Sequence, residues 1–160
     1  MAQNQPVKAI DVRVSDTINI PEPGSVLGGS SSTTGTTLTD ASATFLTDGI
    51  AGGDVMYCGI NEIHEIISVD DEQTITLKTS AIPLAPYDYK IYKGNGGELK
   101  AGNNGYSLFV GNAGDIAVLP VGSGQDEVVL QNVADNSYVP LQVQRVLATG
   151  TTATGILALE

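Results

Sequence analysis

The sequence predicts an all-β protein: a small antiparallel β-sandwich or barrel interrupted by a second compact β unit. Three observations predict it. Apolar residues recur with a period of two, as in Ile10-Asp11-Val12-Arg13-Val14 and Thr74-Ile75-Thr76-Leu77-Lys78, which is strand spacing. Clusters of Gly, Asn and Pro punctuate these runs at intervals of about 8–12 residues, the rhythm of sandwiches and barrels. No segment carries the 3.6-residue apolar period of an amphipathic helix.

Residues 7–20 open the pattern. Ile10, Val12, Val14, Ile18 and Ile20 share parity, with Asp11, Arg13, Ser15 and Asn19 between them, so one or two strands with a single buried face are expected. Pro21 and Pro23 end them, because proline has no amide to give to a sheet ladder. Residues 24–37 include Gly28-Gly29-Ser30-Ser31-Ser32-Thr33-Thr34-Gly35, and this Gly/Ser/Thr-rich composition predicts a flexible connection. Short strands are expected at 36–39, 54–58, 63–69, 74–79 and 87–92. Between the first two, Asp40 is placed to cap a single helical turn that carries Phe45 and Leu46 inward and stops at Gly49. Asp70-Asp71-Glu72-Gln73 reads as a turn, and Pro83 and Pro86 mark a loop before the last of these strands. The block is a β unit of roughly 60 residues, near the lower size limit for independent folding.

A turn-rich joint follows, Gly94-Asn95-Gly96-Gly97 and Gly102-Asn103-Asn104-Gly105, since Asn-Gly pairs supply the positive φ angles of tight turns. Beyond it, strands are expected at 106–110 and 115–121, folded back on each other through Gly111-Asn112-Ala113-Gly114. Further strands are expected at 127–133, 138–147 and 155–159, with turns at Gly122-Ser123-Gly124 and Asp135-Asn136-Ser137.

Composition narrows the function. The 160 residues carry 7 Lys and Arg against 18 Asp and Glu, a net charge of -11. Phosphate binding rests largely on cationic groups, so neither nucleic acid nor an anionic membrane is an expected partner. No run approaches the roughly 18 apolar residues of a membrane span, and residues 1–6 lack the basic start and apolar stretch of a signal peptide. A single cysteine, Cys58, allows no internal disulfide. One histidine, His64, and no tryptophan leave little material for acid–base chemistry, so a structural or binding protein is expected rather than an enzyme.

Four clusters test that expectation. Cys58 and His64 are the only thiol–imidazole pair, and Glu62 or Glu65 is placed to orient the imidazole in a nucleophilic arrangement; a lone cysteine is more often a small buried hydrophobe. No second histidine follows His64-Glu65 at zinc-helix spacing. Asp70-Asp71-Glu72 lacks the ligand spacing of a calcium loop and reads as a solvated hairpin turn. Gly94-Asn95-Gly96-Gly97 lacks the Lys-Ser/Thr pair and the helix of a phosphate loop. No catalytic residue, cofactor or metal site is therefore expected.

The C-terminal half resembles a known family. The residues that carry the resemblance are Ser107-Leu108-Phe109-Val110-Gly111, Gly114-Asp115-Ile116-Ala117-Val118, Val133 and Val139-Pro140-Leu141-Gln142-Val143-Gln144-Arg145-Val146. They end in Ala148-Thr149-Gly150-Thr151-Thr152-Ala153-Thr154-Gly155-Ile156-Leu157-Ala158-Leu159, the most specific stretch. These are similar to the spike base proteins of phage and gene-transfer-agent heads. Val14-Ser15-Asp16-Thr17-Ile18-Asn19-Ile20-Pro21 is similar to that family's usual start, which leads almost directly into the strand matched here by residues 106–110. The resemblance therefore implies one discontinuous domain, residues 1–23 and 105–160, interrupted by an inserted β domain at 24–104 whose lead-in, about 24–37, is flexible. Leu38-Thr39-Asp40, Phe45-Leu46, Gly53-Asp54-Val55, Thr74-Ile75-Thr76-Leu77 and Tyr89-Lys90-Ile91-Tyr92 of the insertion are similar to small β modules recurrent in phage virion proteins. Pro/Gly stretches flank the block on both sides, as domain boundaries should, and first and last strands that neighbour each other would bring its ends together.

The resemblance implies a non-enzymatic virion structural protein on the capsid exterior, a vertex spike base or a decoration protein, assembled in the host cytoplasm. The alternatives are a neck, tail or fibre-anchoring component, or a host-glycan-binding module. The implied partners are further copies of the chain, as a trimer or pentamer, and the major capsid protein or a head fibre protein. Candidate assembly residues are Arg145, Thr149, Thr151, Thr152, Ile156, Leu157 and Leu159, because an apolar, Thr-rich terminal segment is suited to pairing with a neighbour's sheet edge; the other reading makes it the last core strand of the monomer. Tyr57, Tyr87, Tyr89 and Tyr92 are the candidate partner-facing residues of the insertion.

Overall fold

Twelve strands and no helix make up the regular structure of the described residues. The computed structural model describes residues 8–59, 62–80, 87–94, 104–124 and 126–160, with the side chains of 31–34 and 87 outside that set. The expected loop at Pro83 and Pro86, and residues 95–103 of the expected turn-rich joint, lie outside the described residues. The chain divides into two units, Met1–Pro23 with Leu99–Glu160, and Gly24–Glu98.

The second unit is a closed six-stranded barrel. Its strands are β2 (Ser25–Thr34), β3 (Thr37–Thr39), β4 (Val55–Cys58), β5 (Glu62–Val69), β6 (Thr74–Leu77) and β7 (Tyr87–Tyr92), in the order β2-β3-β6-β5-β4-β7. Two strands turn the corners. β2 pairs with β7 from Ser25 to Ser31, and its last three residues pair with β3. β5 pairs with β4 through residues 62–65 and, past an irregularity at Ile66–Ser68, with β6. Alternation then directs Leu38, Met56, Cys58, Ile66, Ile75, Leu77, Tyr89 and Ile91 into one buried cluster, completed by Ala43, Phe45 and Ile50 from the β3–β4 connection.

The Gly/Ser/Thr-rich stretch read as a flexible connection is thus strand β2. The reason lies inside the barrel. Tyr89 Oη donates to Asp40 Oδ2 at 2.7 Å in the buried interior, and a Cβ at Gly29 would lie 2.4 Å from that carboxylate oxygen and 2.7 Å from Tyr89 Oη. Glycine is required there for close approach, and flexibility is only its by-product. Asp40 does act as a cap, its Oδ1 accepting from Ser42 N–H and Oγ–H, but the segment forms turns and no helix. Phe45 is buried as expected. Leu46 is not: it is 53% exposed, because its amide and that of Thr47 are turned toward the Glu72 carboxylate.

The first unit is a six-stranded antiparallel sheet. Its strands are β1 (Ala9–Asp11), β8 (Tyr106–Asn112), β9 (Gly114–Pro120), β10 (Val128–Val133), β11 (Ser137–Val146) and β12 (Thr154–Leu159), in the order β1-β12-β8-β11-β9-β10. β8 and β9 follow each other directly but do not form the expected hairpin. Neither Gly111 nor Gly114 has a positive φ, so the primed turn that the Gly-Asn-Ala-Gly sequence suggested is absent. Both glycines admit the C-terminal backbone instead: a Cβ would lie 2.9 Å from Gly155 O at position 111 and 2.4 Å from Ala153 N at position 114. The chain therefore passes a corner, and β11 serves both strands, bonding β8 with its first part and β9 with its last.

Residues 7–20 also differ from expectation. Among the described residues 8–20, only Ala9–Asp11 is a strand; Val14 is exposed, and Ile18, Asn19 and Ile20 are buried in an irregular segment. Ser15 Oγ accepts from Thr17 and Ile18 N–H, a local turn that competes with the ladder.

The buried Asp40–Tyr89 pair generates a prediction. Burial and the bonded Asp40 carboxylate raise the Tyr89 pKa. Burial opposes ionisation of Asp40, but bonds from Ser42 and Tyr89 together hold its pKa below the ordinary 3.8. The stability from Asp40 is then present above 3.8 and lost as pH falls through the depressed value; that from Tyr89 is present below 10 and lost at higher pH. Tyr89→Phe should cost about 1–3 kcal/mol at pH 7 by leaving the carboxylate under-bonded, and Asp40→Asn should flatten the acid-side loss, both read from urea midpoints across pH.

Candidate functional site

The C-terminal segment is used within its own unit. β12 lies between β1 and β8: β8 pairs along it from Thr154 to Leu159 and β1 with Leu157–Leu159, so its apolar end has a partner on both sides and the core-strand reading describes it. Ile156 is buried, Leu159 is half-buried, and Leu157 alone of the apolar candidates is exposed. The threonines bind backbone and carboxylate. Thr149 donates from N and Oγ1 to Asp16. Thr151 Oγ1 accepts from Ala117 N–H, and Thr152 Oγ1 accepts from Asp115 N–H.

Arg145 belongs to the same clamp. Its Nε donates to Asn19 Oδ1 and its Nη1 to Asp16 O, each at 2.9 Å. Both acceptors are neutral oxygens, and the Asp16 carboxylate is taken by Thr149. Bonds from the Thr149 amide first, then its hydroxyl, lower the Asp16 pKa. Together these groups fasten the irregular segment 15–20 across the end of β11 and the following turn.

The open edges of the sheet are β1 and β10. They differ in kind. β1 is three residues long, contains Asp11 and is flanked by Lys8 and Arg13, the usual ways of blunting an edge. β10 runs Val-Val-Leu-Gln-Asn-Val, and among the described residues it pairs only with β9. Val128 and Val129 are 40% and 51% exposed; being consecutive, they point to opposite faces. A bulge follows at Leu130–Val133, where Asn132 has φ 53° and its amide donates to Asp115 Oδ1. Asp126 and Glu127 precede this stretch and the bulge limits it to three residues, but Val128–Leu130 itself carries no charge and no proline to deter pairing. Sequence reading missed this edge, although three consecutive apolar residues without alternation at 128–130 were the available signal.

The barrel carries the second candidate site. Cys58 pairs with Glu62, and Met56 with His64, across the β4–β5 hairpin. Period-two alternation then puts Cys58, Glu62 and His64 on one face. Cys58 Sγ lies 3.5 Å and His64 Nε2 3.3 Å from Glu62 Oε2. His64 Nδ1 lies 2.9 Å from Thr79 Oγ1. Of the two carboxylates expected to orient the imidazole, the structure selects Glu62; Glu65 pairs with Lys78 Nζ at 2.6 Å.

The remaining expectations resolve simply. Tyr57 and Tyr89 are buried and so are not partner-facing; Tyr89 lies in the barrel core, whereas alternation puts Tyr57 on the face of β4 opposite Met56 and Cys58. The Tyr57 ring packs on the half-buried Tyr92, with centroids 4.8 Å apart. Tyr87 begins β7, its side chain lying outside the described residues. The acidic turn is internally bonded: Asp70 accepts from Ser68 and Thr76 hydroxyls, Asp71 from Gln73 N–H, and Glu72 from Leu46 and Thr47. Thr76 first and Ser68 second lower the Asp70 pKa.

Arg145→Ala should release segment 15–20. The expected outcome is about 1–2 kcal/mol of lost stability with faster amide exchange at Ser15 and Ile20, whose N–H groups bond Val146 O and Gln144 O. Loss of assembly with unchanged stability would instead make Arg145 an interface residue. No protein-family model, curated protein or solved structure matches this chain.

Proposed function

We propose that the chain is a non-enzymatic structural protein of a bacteriophage virion, on the capsid exterior, as a vertex spike base or a decoration protein. The observation that carries the reading is the open β10 edge. An exposed ladder with valines on both faces is a template for pairing, and a surface of this kind is normally covered by assembly. The occupant is a further copy of the chain, forming a trimer or pentamer whose contacts add stability to two small cores. The resemblance of residues 106–159 to head spike base proteins supports the same reading, and a net charge of -11 suits an exterior surface away from packaged DNA. The major capsid protein or a head fibre protein is the second partner.

The glycan-binding alternative loses support, since two of its four tyrosines are buried. The neck or tail alternative uses the same edge and differs only in location. Reconstruction of purified particles should place the chain on the outer head surface. About one oligomer per vertex is expected of a spike base, and copies over the whole lattice of a decoration protein. Density at the neck or tail, or absence from particles, would overturn the proposal. Val129→Lys should leave a folded chain that no longer incorporates, because a charge on the free edge deters strand pairing.

A further inference from the structure

Cys58, Glu62 and His64 stand out as the one group of three metal-ligating side chains found among the described residues, with ligand atoms within 4.8 Å of one another. We infer that they form a binding site for a zinc-class divalent cation at the β4–β5 hairpin of the barrel.

Distances argue for it first. Zinc bonds nitrogen and oxygen at about 2.0–2.1 Å and sulfur at about 2.3 Å in a tetrahedron. The edges of that tetrahedron are then about 3.3 Å between nitrogen and oxygen and about 3.5 Å between sulfur and oxygen. The observed separations are 3.3 Å for His64 Nε2 to Glu62 Oε2 and 3.5 Å for Cys58 Sγ to Glu62 Oε2. Both contacts are also long hydrogen bonds to the carboxylate, longer than the roughly 2.7–2.9 Å of a tight charged pair, and a cation would take their place. Both of these edges meet at Glu62 Oε2; the third pair, Cys58 Sγ and the His64 nitrogen, lies within 4.8 Å and must close to about 3.5 Å around a bound cation.

The surroundings agree. The hydrogen-bonded hairpin fixes the positions of all three residues. Thr79 Oγ1, 2.9 Å from His64 Nδ1, is placed to accept a proton carried on Nδ1, leaving Nε2 unprotonated toward Glu62 and the cation. Cys58 and His64 are 3% and 6% exposed, whereas the Glu62 side chain is 31% exposed, so solvent reaches the site from the carboxylate side. Three protein ligands leave a fourth position for water. Thiolate, imidazole and carboxylate form a borderline donor set, suited to zinc over magnesium or calcium. Binding would displace the thiol proton and close the hairpin with a cross-strand staple.

The test uses the full chain, titrated with Zn²⁺ against a chromophoric chelator and separately with Co²⁺. One equivalent of Zn²⁺ should bind, and Co²⁺ should give a thiolate charge-transfer band in the near ultraviolet with the intense visible bands of tetrahedral cobalt. Cys58→Ser and His64→Gln should each weaken Zn²⁺ binding at least about 10-fold, and Zn²⁺ should raise the melting temperature of the wild type but not of these variants. Glu65→Gln, bonded elsewhere on the same strand, should bind as the wild type does. Absence of stoichiometric binding, cobalt binding without the charge-transfer band, or unchanged affinity in folded Cys58→Ser would overturn the assignment. If that variant fails to fold, the wild-type cobalt spectrum decides.

Discussion

The β2–β7 pairing is the constraint on which the barrel depends. A segment inserted between two strands must begin and end at nearly the same place. The pairing of Ser25 with Tyr92, continuing to Ser31 with Tyr87, meets that requirement while it closes the barrel. Closure also removes two sheet edges that would otherwise be free to pair elsewhere. Its chemical demand is small residues on β2, because the Tyr89 side chain crosses the interior to Asp40 and leaves no room for a Cβ at Gly29.

Both units solve curvature in the same way. A long strand is shared between successive partners: β2 and β5 in the barrel, β11 in the sheet. The register irregularities within β5 and β11 fall near the change of partner, where a bulge bends a strand and raises its twist. The loops that cap these corners are tied by carboxylates. Glu72 holds the turn at 46–47, and Asp16 holds the turn at Thr149. Several of the 18 acidic residues therefore act as hydrogen-bond acceptors for backbone amides, which explains how so acidic a chain forms ordered turns with few cations.

Period and punctuation made most of the architecture legible. Strands with clear alternation, such as 74–77, lie where the pattern puts them, and the absence of helices among the described residues follows from the same pattern. What escaped the sequence are features decided across space. Glycines read as turn or linker signals because local rules see only their freedom. At Gly29, Gly111 and Gly114 it is a distant backbone or side chain that excludes a Cβ. The alternation of residues 7–20 read as strand, but the Ser15 turn and the Arg145 clamp capture the segment. The Cys58–Glu62–His64 group was half visible: the thiol and imidazole were evident, while the partner carboxylate was fixed only by the hairpin register. The C-terminal segment looked like an edge because it is apolar and ends the chain, yet β1 covers one side of it, and the open edge is β10.

The central claim is that β10 is an assembly edge left open in the isolated chain and covered in a particle. Amide exchange of β10 measures this directly. In dilute chain that sediments as a monomer, the β10 amides not bonded to β9 should exchange with little protection, and in purified particles they should be strongly protected. Equal exchange in the two states, or protection already complete in the monomer, would contradict the account.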